Sequence, residues 1–136
     1  MSRKNPDDMQ KQDRLFVPLS TKPFEDFRCR VKQYEIRAYG GQFTEKHVSS
    51  GRPVELRKGY SVRKNVPSAE WRLRGILGKV IVGSLEDIFN QVGDYKTIEP
   101  RSGSVEDAIK ENRELLGEKP TYIGFQVFLE DLTTPP

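Results

Sequence analysis

Arg30-Val31-Lys32-Gln33-Tyr34-Glu35-Ile36-Arg37 sets a lysine, a carboxylate and an arginine within six positions, at the point where a helical pattern gives way to an extended one. Alternate residues of a strand share a face, so Tyr34 and Ile36 are expected to point into a core while Gln33, Glu35, Arg37 and Tyr39 line the other side. Lys32, at the junction, escapes the strict alternation and can turn toward that polar side from its edge. Two readings follow. In one, Lys32, Glu35 and Arg37 form the wall of a pocket; in the other, Glu35 and Arg37 are a surface ion pair and Lys32 is solvated.

Upstream, Leu15-Phe16-Val17-Pro18-Leu19 reads as a short edge strand, the position at which a strand tolerates proline. Ser20 or Thr21 caps a following helix whose Phe24, Phe27 and Val31 are spaced to face inward, with Pro23 in its first turn. Downstream, Gly40-Gly41 breaks the strand and a polar connection runs to Gly51. Pro53 to Arg57 alternates apolar with charged residues as a half-buried strand does, Gly59 to Pro67 reads as a loop, and Leu73 to Val82 contains another strand. Two helices carry clear signals: Ser84 to Gly93 with Leu85, Ile88, Phe89 and Val92 on one stripe, and Ser104 to Gly117 with Val105, Ala108, Ile109, Leu115 and Leu116. A last strand, Tyr122 to Leu129, sets Ile123, Phe125, Val127 and Leu129 against Tyr122, Gly124, Gln126 and Phe128. The expected class is α+β, with residues 1–14 a loose N-terminal tail, 15–131 one domain and 132–136 a C-terminal tail.

A chain of 136 residues buries roughly two thirds of its unfolded surface and needs no disulfide or metal staple. The one cysteine, Cys29, cannot form an internal bridge and is expected as a buried thiol beside Phe27, in keeping with a reducing compartment. The N-terminus lacks the apolar run of a signal peptide, and no window reaches the roughly 18 apolar residues of a membrane span. A cytoplasmic protein with no membrane association is therefore expected. The net charge is only +3, but it is unevenly spread. From Arg52 to Arg74 there are seven basic residues against two acidic; from Ser84 to Pro120 there are nine acidic against five basic. Such polarity within one domain points toward an anionic partner, nucleic acid above all, or else a solubilising surface.

The order of elements, together with Lys32-x-x-Glu35-x-Arg37, resembles the ASCH domain, a branch of the PUA-like superfamily, over about Phe16 to Glu130. The signature matches the family's Lys-x-x-Glu-x-Arg, although Arg30-Val31 stands where a glycine often precedes the lysine. The resemblance implies a small, partly open β-barrel of five to six strands with surrounding helices, and a cleft beside the signature strand. It implies binding of RNA or of a modified base, as in related PUA-like domains, and for a few members hydrolysis: an amidohydrolase on acylated cytidine and a ribonuclease.

As a binding module, the chain would use Lys32 or Arg37 for a phosphate or base acceptor, Glu35 for a base amino group, and Tyr39 or Tyr60 as a stacking face. Arg57, Lys58, Arg63 and Lys64 would follow the backbone of a single strand, RNA or a nucleotide being the expected partner. As an enzyme it would use Lys32 as nucleophile or general base, with Glu35 or Glu99 as carboxylate partner. Glu35 works against the deacylating chemistry, because amidohydrolase-type members carry threonine there. A third reading, a protein-interaction module, rests on the acidic 84–120 region. No cofactor or metal is expected: His47 is the only histidine. Gly75-Ile76-Leu77-Gly78-Lys79 lacks the spacing of a P-loop and is expected as a buried turn. Trp71 is expected in the core.

Overall fold

The computed structural model describes residues 14–59 and 70–130. Five strands, β1 (Leu15–Leu19), β2 (Tyr34–Ala38), β3 (Pro53–Lys58), β4 (Arg72–Gly83) and β5 (Tyr122–Leu129), form one sheet in the order β1-β3-β4-β5-β2. β1 runs parallel to β3, and the other pairs are antiparallel. Three α-helices, α1 (Thr21–Arg28), α2 (Leu85–Val92) and α3 (Val105–Leu116), pack around it. The architecture is thus α+β, a curled half-barrel with helices about it, as the sequence leads one to expect. Of the two tails only Arg14 is among the described residues, and the loop beyond Gly59 falls outside them.

The curl brings the edge strands face to face. Arg37 Nη2 of β2 donates to the Pro18 carbonyl of β1 at 2.6 Å, and Gln42 Nε2 donates to the Phe16 carbonyl at 3.3 Å. Side chains, not a backbone ladder, therefore span the open seam. The concave side is filled by Leu15, Val17, Leu19, Val54, Leu56, Leu73, Leu77, Ile123, Phe125 and Val127, closed by Phe24 and Phe27 of α1. A second cluster joins Tyr34, Ile36, Ile81 and Tyr122 to Leu85, Ile88 and Phe89 of α2 and Ala108 of α3.

Helix starts follow local chemistry. Ser84 and Ser104 each accept from the backbone N–H of the aspartate three residues on, and Gly93 and Gly117 end α2 and α3 at φ of 89° and 85°. Ser20 caps α1 without a side-chain bond.

Several expectations are corrected. Val31 is exposed, because α1 ends at Arg28 and Arg30 reverses the chain at φ 65°, carrying Val31 off the helix face. Cys29 is exposed as well: it is the C-cap of α1, two positions past Phe27 and so turned away from it. Leu115 lies outside the core at 82% exposure. The Gly75–Lys79 segment is not a turn but continuous strand, irregular between Leu77 and Val80. Its glycines admit β5, since a Cβ on Gly75 would meet the Phe128 carbonyl oxygen at 2.4 Å and one on Gly78 the Phe128 ring at 2.3 Å. Tyr122 is buried like its neighbour Ile123, because α2 covers the other face of β5 at that end. Trp71 is in the core as expected.

Candidate nucleotide cleft

Where the seam between β1 and β2 fails to close, a cleft of about 540 Å³ opens, within the roughly 300–1,000 Å³ range of small-molecule sites. Lys32, Glu35 and Arg37 all line it. The chain reaches this arrangement through local bonds: the Lys32 N–H donates to the Asp26 carbonyl at 3.1 Å, and the Gln33 N–H to the Thr97 carbonyl at 2.7 Å. Lys32 is thereby fixed just before β2 and is 4% exposed. The solvated-lysine reading is excluded by that burial.

Lys32 Nζ donates to the Ile98 carbonyl and lies 3.4 Å from Glu35 Oε1. The other oxygen of Glu35 accepts from Arg37 Nε at 2.9 Å. Aromatic faces back both cations, Phe27 at 5.4 Å from Lys32 Nζ and Phe43 at 5.1 Å from the Arg37 guanidinium carbon. The carboxylate is thus clamped between two cations, each of which also donates to a backbone carbonyl, Lys32 to Ile98 and Arg37 to Pro18.

The opposite wall comes from the segment after α2 and from α3. Glu99 accepts from Asn112 Nδ2 at 3.1 Å, and Asn112 also donates to the Ala108 carbonyl at 2.8 Å. Burial pushes the Glu99 carboxyl above its ordinary value; Lys32 and the Asn112 bond pull it down, and Glu35 and Glu111 push it further up. Ser102 Oγ donates to Glu111 at 2.6 Å, and Arg101 grips Asp26 with two bonds, at 2.8 and 3.1 Å. Pro18, Pro23, Ile36, Leu115 and Leu116 supply apolar lining. The cleft therefore offers donors and acceptors in near balance between apolar surfaces. That suits a neutral polar heterocycle better than a polyanion.

Three of the other expected contact residues lie elsewhere. Tyr39 is 40% exposed and donates its hydroxyl to Glu45, away from the cleft lining. Arg57 stands on the outer sheet face beside Glu55. Lys58 pairs with Glu25 at 2.8 Å and lies over the Phe24 ring. Tyr60, Arg63 and Lys64 fall outside the described residues. Sequence reasoning missed Asp26, Arg101, Glu111 and Asn112. Asn112 was discoverable: it follows Ala108 by four, a polar residue on the buried stripe of α3, and is 5% exposed. Among the described residues no group of histidine, cysteine and carboxylate side chains could hold a metal, and no helix is long and apolar enough to cross a membrane.

No family model and no curated protein matches the sequence. Two solved structures share its fold. The crystal structure of the hypothetical protein PH0355 matches at a TM-score of 0.64 and 16% identity, over 86% of this chain and 99% of that one. The solution structure of protein PF0455 from Pyrococcus furiosus matches at 0.60 and 16% identity, over 87% and 98%. At that identity the likeness concerns the fold alone.

Proposed function

We propose that the chain is a nucleotide-recognition domain of the ASCH type, taking a base of single-stranded RNA, or a free or modified nucleoside, into the cleft beside Lys32, Glu35 and Arg37. The observation that carries this reading is the convergence of that trio with Glu99 and Asn112 on one cavity of about 540 Å³. A base presents both donors and acceptors on its edge and an apolar face on either side. The lining has the matching parts: Lys32 and Arg37 as donors, Glu35 and Glu99 as acceptors, Ile36 and the prolines as flanking surface. A splayed single-stranded base enters such a recess; a stacked, paired base does not. Calorimetric titration with uncharged nucleosides, cytidine and N4-acetylcytidine among them, tests the cleft without contribution from phosphate. Saturable binding that is lost in Lys32→Met supports the reading, and equal heats in wild type and Lys32→Met refute it.

A second reading, hydrolysis, is favoured by one feature: the partly buried Glu99, held toward its protonated form close to Lys32, has the character of a general acid or a proton shuttle. Lys32 itself is engaged, donating from Nζ to the Ile98 carbonyl and facing Glu35. Incubation with N4-acetylcytidine and with short RNA across a pH series decides it. Turnover abolished by Lys32→Ala and by Glu99→Gln establishes an enzyme; absence of turnover in wild type ends that reading for those substrates.

A further inference from the structure

The outer face of the sheet carries a second constellation, separate from the cleft. Register places Phe16 of β1 beside Glu55 of β3 and Glu55 beside Arg74 of β4, while Arg57 lies beside Arg72. Paired residues share a face, so these side chains all stand on the side away from the core. Glu55 meets three guanidiniums there, each through Nε: Arg57 at 2.5 Å, Arg74 at 3.0 Å and Arg72 at 3.9 Å. Arg14 reaches the same hollow of about 310 Å³.

One carboxylate thus holds three arginines at one place, meeting their Nε edges rather than their terminal forks, and Arg14 lines the same hollow as a fourth guanidinium. The donors of Arg14 are the most telling: Nε and Nη1 are buried without a hydrogen-bond acceptor, and Glu130 comes only to 3.8 Å of Nη1. Buried donors of a charged group left unmatched are costly unless an anion completes them. The Phe16 ring at 4.7 Å and the Trp71 ring at 5.7 Å fix the Arg57 guanidinium between them. Such positions preorganise the forks instead of leaving them to solvent.

Farther along the same face, Ile76 pairs with Phe128, and both are unusually exposed for apolar residues, 48% and 57%. The Phe128 ring lies over Gly78, four positions along β4 from Arg74, so the aromatic face stands farther along the sheet than the arginines, where a neighbouring base of a bound strand has a surface to stack on. At the other end the hollow borders the cleft, because Phe16 and Pro18 are successive outward residues of β1, one lining each cavity.

We infer that this face binds the phosphates of a single-stranded nucleic acid, with Arg14, Arg57, Arg72 and Arg74 as the phosphate ligands, Glu55 as the residue that positions them, and Phe128 as the stacking surface. The inference deepens the cleft reading and rests on it, since a strand that places one base in the cleft needs a track for its neighbours. An acidic protein segment would match the charge but leave Phe128 without a planar partner.

The test is a titration of the intact chain with a fluorescein-labelled twelve-residue oligouridylate, read by anisotropy and by quenching of the sole tryptophan, Trp71, whose ring lies 5.3 Å from the Arg72 guanidinium carbon. Arg72→Ala/Arg74→Ala is expected to weaken binding by about tenfold or more. It should also shallow the salt dependence by about 0.7 per lost phosphate contact. Arg72→Lys/Arg74→Lys, which keeps the pairs with Glu55, should retain the salt slope and lose part of the affinity. Phe128→Ala should weaken binding with the salt slope unchanged. Affinity and slope equal to wild type in the double alanine variant would overturn the inference, as would inorganic phosphate quenching Trp71 with no gain for the oligonucleotide. Nucleoside binding in the cleft is scored separately, so failure of this face is distinguished from failure of the cleft reading.

Discussion

Two carboxylates, Glu55 buried and Glu99 partly buried, respond to their surroundings in opposite directions, and each gives a signed prediction. Burial acts to raise the Glu55 carboxyl, but hydrogen bonds from Arg57 and Arg74 and the nearby charges of Arg57 and Arg72 hold it below the ordinary 4.5. Its contribution to stability is therefore complete above that value and fades as pH falls through the lowered one. Glu55→Gln should cost about 1–3 kcal/mol at neutral pH, and the gap to wild type should narrow in acid, as thermal unfolding across pH would measure. Glu99 is raised instead, chiefly by burial. What it contributes is complete below the ordinary value and lost as pH rises through the raised one. Glu99→Gln should therefore gain on wild type in melting temperature as pH climbs from 4.5 to 7, and a constant difference would contradict the assignment. Residue identities alone made the Lys32, Glu35 and Arg37 trio legible, because three ionic side chains at a helix-to-strand junction have few reasons to be there. They did not disclose Arg101 gripping Asp26, a contact across 75 positions that only the assembled fold creates.

Elements were readable where the signal is local. Ser84 and Ser104 with their glycine stops mark α2 and α3, and Ser104→Ala should cost about 1 kcal/mol in chemical denaturation. The long strand β4 was less readable because Gly75 and Gly78 look like turn residues, whereas their lack of a side chain serves the approach of Phe128. Gly78→Val should destabilise by about 1–3 kcal/mol through that collision, and an unchanged unfolding midpoint would show that the ring simply moves aside. The stripe of α3 misled at Leu115, since α3 turns that position toward the cleft mouth rather than the core. Helical spacing reports which residues share a face; it does not say where a neighbouring element stops covering that face.

At the scale of the molecule, the half-barrel owes its cleft to incomplete closure. β1 and β2 are the two edges of the sheet, and Arg37 bridges them through the Pro18 carbonyl while also holding Glu35. One side chain thus couples the seam to the site. Arg37→Met should speed amide hydrogen exchange in β1 and β2 and leave β4 and β5 protected, because the strands of the sheet centre keep both neighbours. The strand order and this closure depend on contacts distant in sequence, which is why composition and periodicity reached the class and the resemblance reached the barrel, but neither reached the cleft's far wall. The most direct measurement of the central claim is an amide-resolved NMR titration of the intact chain with cytidine and N4-acetylcytidine. Saturable shifts should be confined to Lys32–Arg37, Glu99–Ser102 and the neighbourhood of Asn112; shifts centred elsewhere, or none at millimolar nucleoside, would contradict a base-recognition site between those walls.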